Sequence, residues 1–114
     1  MRFQLDGHEV YASTGGREFV EGQPYLIFMH GAGSSHLVWS QQSRSFAYAG
    51  YNVLAIDFPA HNLSSGETLP NIEAQADWIL KVIEHLGISK ASFVGHSQGG
   101  LVNLALADLS LIHI

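Results

Sequence analysis

The chain has 114 residues, of which 46% are hydrophobic, as in an ordinary globular protein, and this length suits one small domain. The formal net charge is −5, and the five Lys and Arg residues are spread along the chain, which argues against a nucleic-acid partner. The absence of cysteine excludes disulfides, thiol catalysis and thiolate metal ligands.

The N-terminal sequence predicts a β-hairpin, a loop and a buried strand. Short strands are expected over residues 2–5 and 9–12, because Asp6-Gly7 between them is a favoured two-residue hairpin turn. Residues 13–24 are polar and rich in glycine, which predicts a loop. Residues 25–29 are apolar throughout, which predicts a strand buried on both faces.

The middle of the chain predicts a helix, a second buried strand and a long loop. The helix is expected over residues 36–48, with Gly50 as the glycine that ends it. Residues 52–56 predict an apolar strand that closes at Asp57, and residues 59–70 predict a loop. The buried positions of the helix are expected to be Leu37, Val38, Phe46 and Ala47.

The most regular helical pattern lies in residues 72–86, with Asn71 as the N-cap and Gly87 as the stop signal. A third apolar strand is expected over residues 91–94, and a further helix over residues 100–107. The apolar face of the first of these helices comprises Ile72, Ala76, Ile79, Leu80, Ile83 and Leu86.

Three apolar strands that alternate with helices predict a parallel sheet covered on both faces. In such sheets the functional site lies at the carboxyl ends of the strands. His30, Asp57 and Ser97 each follow the end of a predicted strand. The three residues are therefore expected at one edge of the sheet.

Residues 95–99 read Gly-His-Ser-Gln-Gly and form a Gly-x-Ser-x-Gly motif between a predicted strand and a predicted helix. That setting is typical of the nucleophile elbow of serine hydrolases, where a strained turn lifts the serine hydroxyl out of the sheet. Gly95 and Gly99 are expected because a Cβ at either position would collide with neighbouring backbone. Ser97 is the predicted catalytic nucleophile.

The loop His30-Gly31-Ala32-Gly33 after the first apolar strand agrees with this interpretation. The backbone N–H groups of Ala32 and Gln98 are expected to form an oxyanion hole, which meets the negative charge that develops on a carbonyl oxygen under attack. The glycines of the loop would let its backbone come close to a ligand.

Three motifs in this order resemble those of the α/β-hydrolase superfamily, of the small single-domain esterase-like kind, over nearly all of residues 1–107. They are residues 30–33, residues 57–64 and residues 95–99. The middle motif resembles the family's Asp-x-x-Gly-x-Gly-x-Ser turn. It carries Ala60 and Asn62 where glycines are usual, so a change in the shape of this loop is expected at Ala60.

The resemblance implies an α/β fold that is the N-terminal part of an α/β-hydrolase, with three parallel strands, flanking helices, an N-terminal β-hairpin and an incomplete sheet. It also implies substrate-pocket residues, namely His30, Gly31, Gly33, Phe58 and His96. Hydrogen bonds that brace the loop are a simpler role for His30. No pair of histidines has H-E-x-x-H spacing, so no metal site is predicted, and no cofactor is predicted either.

The family's triad runs Ser, acid and His along the chain. Only 17 residues follow Ser97, and their single acid, Asp108, and single histidine, His113, do not fit that order and spacing. Residues 1–108 are therefore predicted to be a truncated α/β-hydrolase domain. Residues 109–114 read like the in-frame translation of a transposon end used to prepare sequencing libraries, which predicts a non-native tail.

The predicted function is hydrolysis of a carboxylic ester or related small acyl substrate by Ser97. The alternative is a non-catalytic fragment or a degenerate ligand-binding protein of the same fold. Dehalogenase and epoxide hydrolase chemistry is disfavoured, because those relatives carry an aspartate where this chain has Ser97. No apolar run approaches the roughly 18 residues of a membrane span. A cytoplasmic protein with no membrane partner is predicted.

Overall fold

The computed structural model of the protein describes residues 1–102. Most of the helix predicted after Ser97, and the tail predicted over residues 109–114, lie outside the described residues. A single 3-10 turn spans His36–Trp39, and residues 98–102 are helical. The remaining elements are β1 (Arg2–Leu5), β2 (His8–Ser13), β3 (Tyr25–Met29), α1 (Ser40–Tyr48), β4 (Asn52–Ile56), α2 (Ile72–His85) and β5 (Ala91–Gly95).

The described strands form one mixed sheet in the order β1-β2-β4-β3-β5. The three apolar strands are parallel, as predicted, and β3 lies between the other two. Met29 pairs with both Ile56 and Gly95, so the carboxyl ends of the three strands lie side by side. The N-terminal hairpin is also confirmed, and it joins the sheet through antiparallel pairing of β2 with β4.

Helices cover both faces of the sheet because successive residues of each buried strand point to opposite sides. On one face, α2 packs against strand residues that include Ile27 and Leu54. On the other face, α1 packs through Ala47 onto residues that include Phe28 and Val53. Strands β3 and β4 are largely apolar on both sides because each contributes to both layers, whereas β5 leaves Ser92 exposed.

The ends of α2 are those that the sequence predicts. The Oδ1 atom of Asn71 accepts a hydrogen bond from the N–H of Ala74 at 2.8 Å, which caps the first turn. At the other end Gly87 has φ +71°, the left-handed conformation that stops a helix at low steric cost. The predicted strand and helix boundaries around this element agree with the structure to within one or two residues.

The prediction for residues 36–48 is wrong in its buried face. Leu37 and Val38 are 61% and 52% exposed, and Phe46 is exposed as well, so Ala47 is the one predicted residue that is buried. The first four residues form a 3-10 turn, which has three residues per turn instead of 3.6. Because of that change in period, the apolar residues of the turn and of α1 do not share a face.

A loop that follows β4 bonds to the part of β2 that does not pair with β4. The hydroxyl of Ser64 accepts a hydrogen bond from the N–H of Tyr11 at 2.9 Å and donates to the carbonyl of Asp57 at 2.7 Å. The hydroxyl of Ser65 accepts from the N–H of Glu9 at 2.8 Å. The two serine hydroxyls accept backbone N–H groups that a neighbouring strand would otherwise pair with. These bonds hold the loop after Asp57 against the sheet.

Within the part of the chain that the structure describes, no helix combines the length and the apolar character that crossing a membrane requires.

Candidate active site

A tight turn presents Ser97 at the carboxyl edge of the sheet. Strand β5 ends at Gly95 and the following helix begins at residue 98. Ser97 lies between them with φ +57°, a left-handed conformation that costs an L-residue roughly 1–2 kcal/mol. Its side chain is exposed, and its carbonyl accepts the N–H of Gly100 at 2.9 Å. The strand and turn predicted around this serine are present, and residues 98–102 form the start of the predicted helix.

Glycine is required on both sides of the turn. A Cβ at residue 95 would lie 2.2 Å from the carbonyl of Gly99, and a Cβ at residue 99 would lie 2.4 Å from the carbonyl oxygen of Met29. Both distances are far inside van der Waals contact with backbone that cannot easily move. The collision that the sequence predicts at Gly95 and Gly99 is therefore confirmed.

The loop after β3 lies directly against Ser97. A Cβ at Gly31 would stand 3.4 Å from the Cβ of Ser97 and 3.8 Å from its Oγ atom. Beside this contact are two N–H groups, those of Ala32 and Gln98, for which the described residues provide no hydrogen-bond acceptor. Unpaired N–H groups at the surface are available to a ligand.

Two cavities flank this loop. The first, of about 360 Å³, contains Ser97 and is lined by Gly31, Ala32, Ser34, Val38, Trp39 and His96 as well. The second, of about 450 Å³, borders Ala32 from the other side and reaches Gly33, His61 and Gln98. The sequence did not predict Ser34, Val38 or Trp39 at the site. Val38 was instead predicted to be buried in a helix, so the sequence offered no signal for its place at the site.

The predicted pocket residues fall into two groups. Gly31 and His96 line the cavity that contains Ser97, and Gly33 lines the neighbouring cavity. His30 and Phe58 are only 1% and 5% exposed and line neither of these two cavities. They lie beneath the two loops, where their rings pack edge to face with centroids 5.0 Å apart.

His30 acts as a brace between the two loops. Its Nδ1–H donates to the carbonyl of Gly31 at 2.7 Å, and its Nε2 atom accepts the N–H of Phe58 at 3.1 Å. Because a carbonyl can only accept and an N–H can only donate, the imidazole is neutral with its hydrogen on Nδ1. Burial lowers the pKa of His30 below its ordinary value, chiefly by desolvation of the charged form.

Asp57 anchors the second loop and is fully buried. Its carboxylate accepts the N–H of His36 at 2.7 Å and the N–H of Leu63 at 3.2 Å. The Nδ1 atom of His36 lies 3.0 Å from both carboxylate oxygens. Asp57 therefore holds its own turn. Its pairing with His36 was not predicted.

Ala60 and Asn62 replace the family's usual glycines in the Asp57 loop, defined as residues 57–64, and both adopt the backbone that glycine favours. Ala60 has φ +64° and Asn62 has φ +44°. A change of loop shape was expected at Ala60. Its φ angle instead stays in the left-handed region. Asn tolerates that region well, whereas Ala does not, so Ala60 carries local strain.

No general base contacts Ser97 within residues 1–102. The described residues provide no side-chain hydrogen bond to the Oγ atom of Ser97, and Asp57 and His30 are committed to the contacts given above. Asp108 and His113 lie outside the described residues.

Comparison with known proteins agrees with this geometry. Residues 24–110 match the family model of the alpha/beta hydrolase fold. The chain is 36% identical over 105 residues to the dihydrolipoyllysine-residue acetyltransferase component of the acetoin cleaving system of Cupriavidus necator. It is 33% identical over 86 residues to a putative esterase/lipase of Haemophilus influenzae. The crystal structure of an enol-lactonase from Burkholderia xenovorans superposes with a TM-score of 0.81 at 26% identity.

These matches define the class of protein: the chain belongs to the α/β-hydrolase family. The match covers 90% of this chain for the acetyltransferase component, 75% for the esterase/lipase and 94% for the lactonase. The chain spans only 26% of the acetyltransferase component, 30% of the esterase/lipase and 41% of the lactonase. It corresponds to the N-terminal part of a longer fold, as predicted.

Proposed function

We propose that the protein is a serine hydrolase that acts on a carboxylic ester or a related small acyl compound. One observation carries the proposal: Ser97 is exposed at φ +57° in a cavity that it shares with Gly31 and Ala32. A serine held in this way is an accessible nucleophile. The neighbouring N–H groups of Ala32 and Gln98 are suited to bind the oxyanion that its attack creates.

The chemistry follows from these roles. The Oγ atom of Ser97 forms a bond to the acyl carbon, and its proton passes to a base while the carbonyl oxygen gains negative charge. Collapse of this intermediate expels the alcohol and leaves an acyl-enzyme, which water then hydrolyses. No residue in the described part of the chain supplies the base or its supporting acid. Relatives described as an esterase/lipase and as a lactonase support this substrate class.

A second function, ligand binding without catalysis, is favoured by a different observation. No described residue contacts Ser97 as a base, and a serine hydroxyl without a base is a weak nucleophile. The genomic sequence downstream of the Asp108 codon distinguishes the two functions. A continuing frame with an acid and a late histidine supports the enzyme, and a stop codon supports the binding protein.

A fluorophosphonate probe tests the nucleophile directly. The probe forms a P–O bond with the reactive serine and releases fluoride. We expect a slow adduct on the peptide that contains Ser97, and none in Ser97→Ala. The matched control is Ser92→Ala, because Ser92 is an exposed serine of β5 in the same part of the chain. Equal labelling of Ser97→Ala and the native chain would overturn the proposal, and rapid labelling would show that a base is already in place.

A further inference from the structure

We propose that His61 is a positioning residue for the loop that carries Ala32, which we name the Ala32 loop and define as residues 31–33. The inference rests on the proposed function, because the N–H of Ala32 matters only if it binds an oxyanion. His61 does not line the cavity that contains Ser97. It acts on that cavity through Gly33.

The imidazole of His61 links the two loops of the site. Its Nε2 atom accepts a hydrogen bond from the N–H of Gly33 at 3.1 Å. Its Nδ1 atom lies 2.9 Å from the carbonyl oxygen of Pro59, which can only accept, so the ring hydrogen is on Nδ1. The neutral tautomer that results is the one that leaves Nε2 free to accept from Gly33.

The bridge is one of a reciprocal pair. His30 precedes the Ala32 loop and accepts the N–H of Phe58 from the Asp57 loop, whereas His61 belongs to the Asp57 loop and accepts the N–H of Gly33. The centroids of the two imidazole rings are 5.0 Å apart. Each side of the site therefore supplies one imidazole acceptor and one backbone N–H donor to the other side.

These bonds hold the residues on both sides of Ala32. His30 fixes the carbonyl of Gly31 at 2.7 Å, and His61 fixes the N–H of Gly33 at 3.1 Å. Ala32 lies between them with an N–H that has no acceptor among the described residues. Fixing both neighbours restricts the peptide planes around Ala32, and with them the direction of its N–H. Donors that are already oriented need no rearrangement when charge develops.

The backbone around His61 supports the same conclusion. Ala60 and Asn62, on either side of it, both have positive φ angles. The N–H of His61 donates to the carbonyl of Phe58, and its carbonyl accepts the N–H of Ser64, both at 3.0 Å. Strain of this kind persists where the surrounding contacts determine the conformation. Here the conformation directs the imidazole at Gly33.

NMR of the full chain, labelled with nitrogen-15, tests the bridge without any substitution. We expect a scalar coupling between the amide nitrogen of Gly33 and Nε2 of His61, since such couplings pass through N–H···N hydrogen bonds.

Hydrogen exchange in variants tests the same bridge. In His61→Leu, which removes the acceptor, we expect the Gly33 amide to exchange with solvent about tenfold faster. His61→Gln should restore protection because its Oε1 atom can accept at a similar reach. His85→Leu is the matched control, since His85 is an exposed residue at the end of α2.

The rate of fluorophosphonate labelling at Ser97 separates positioning from simple support. Loss of the bridge is expected to slow labelling by up to about a hundredfold, with recovery in His61→Gln and no change in His85→Leu. Absence of the coupling, or a Gly33 exchange rate unchanged in His61→Leu, would overturn the bridge. Faster exchange with unchanged labelling would overturn the positioning role. If the native chain shows no adduct at Ser97, the proposed function fails, and the coupling and exchange rates still decide whether His61 holds Gly33.

Discussion

Gly99 lies so close to Met29 that a Cβ at residue 99 would stand 2.4 Å from the carbonyl oxygen of Met29. The two residues belong to different parts of the site: Met29 ends β3, the middle one of the three parallel strands, and Gly99 is in the first turn of the helix after Ser97. Their contact sets how closely that helix approaches the sheet, and so how far Ser97 projects from it.

Gly99→Ala is expected to lower the free energy of unfolding by about 3 kcal/mol, because backbone on both sides must shift to admit the methyl group. Gly100→Ala is the matched control in the same turn. A Cβ there would be 3.8 Å from its nearest neighbour, so helix propensity should make this variant neutral or slightly more stable. Urea denaturation followed by circular dichroism measures both. Equal effects of the two substitutions would contradict the steric account.

Ala60→Gly is expected to stabilise the protein by about 0.5–1 kcal/mol. Relief of the left-handed strain at Ala60 gains about 1–2 kcal/mol, and part of this is offset by the greater freedom of glycine in the unfolded chain. The exposed residue Ala49 has φ −93°, so Ala49→Gly should instead destabilise the protein. Thermal unfolding of the two variants against the native chain provides the comparison. A loss of stability in Ala60→Gly would show that its φ of +64° is not strained.

The stability of the protein should fall in mild acid through His30. Its folded-state pKa is lowered from 6.5 by burial, so below pH 6.5 the unfolded chain binds a proton that the folded chain resists. The contribution of His30 is therefore complete above pH 6.5 and is lost as the pH falls through the lowered pKa. Urea midpoints measured across this range should decline, and His30→Asn, which cannot titrate, should decline less steeply. Parallel profiles for the two proteins would contradict this assignment.

Asp57→Asn is expected to destabilise the protein by about 3 kcal/mol or more, because the amide cannot satisfy every N–H that the buried carboxylate accepts. The N–H groups of His36 and Leu63 are the donors concerned. Asp6→Asn is the contrasting control: Asp6 contacts Lys81 at 3.1 Å, but both side chains are more than half exposed, so a change of at most about 1 kcal/mol is expected. Chemical denaturation distinguishes the two outcomes. A small effect at Asp57 would show that water replaces its partners.

Local patterns in the sequence determined the strands, α2 and the turn at Ser97. Buried parallel strands require continuous apolar runs, and an N-cap at Asn71 with a stop at Gly87 marks a helix by short-range chemistry alone. The glycines beside Ser97 could be assigned on the same basis, because the clash arises within a strand–turn–helix unit. The face of residues 36–48 could not be predicted, since a 3-10 turn and an α-helix place the same residues on different sides.

Only the tertiary structure decided which side chains reach the site and which support it. The bridges from His30 to Phe58 and from His61 to Gly33 each join residues 28 apart in sequence, and the contact of His36 with Asp57 joins residues 21 apart. Such contacts depend on strand order, which places β3 beside both β4 and β5. No local propensity encodes that order, because hydrogen-bonded pairing between strands is a property of the assembled sheet. For this reason Ser97 and a bracing role for His30 could be predicted from the sequence, whereas the partner of His30 on the second loop and the bond from His61 to Gly33 became evident only once the loops were brought together.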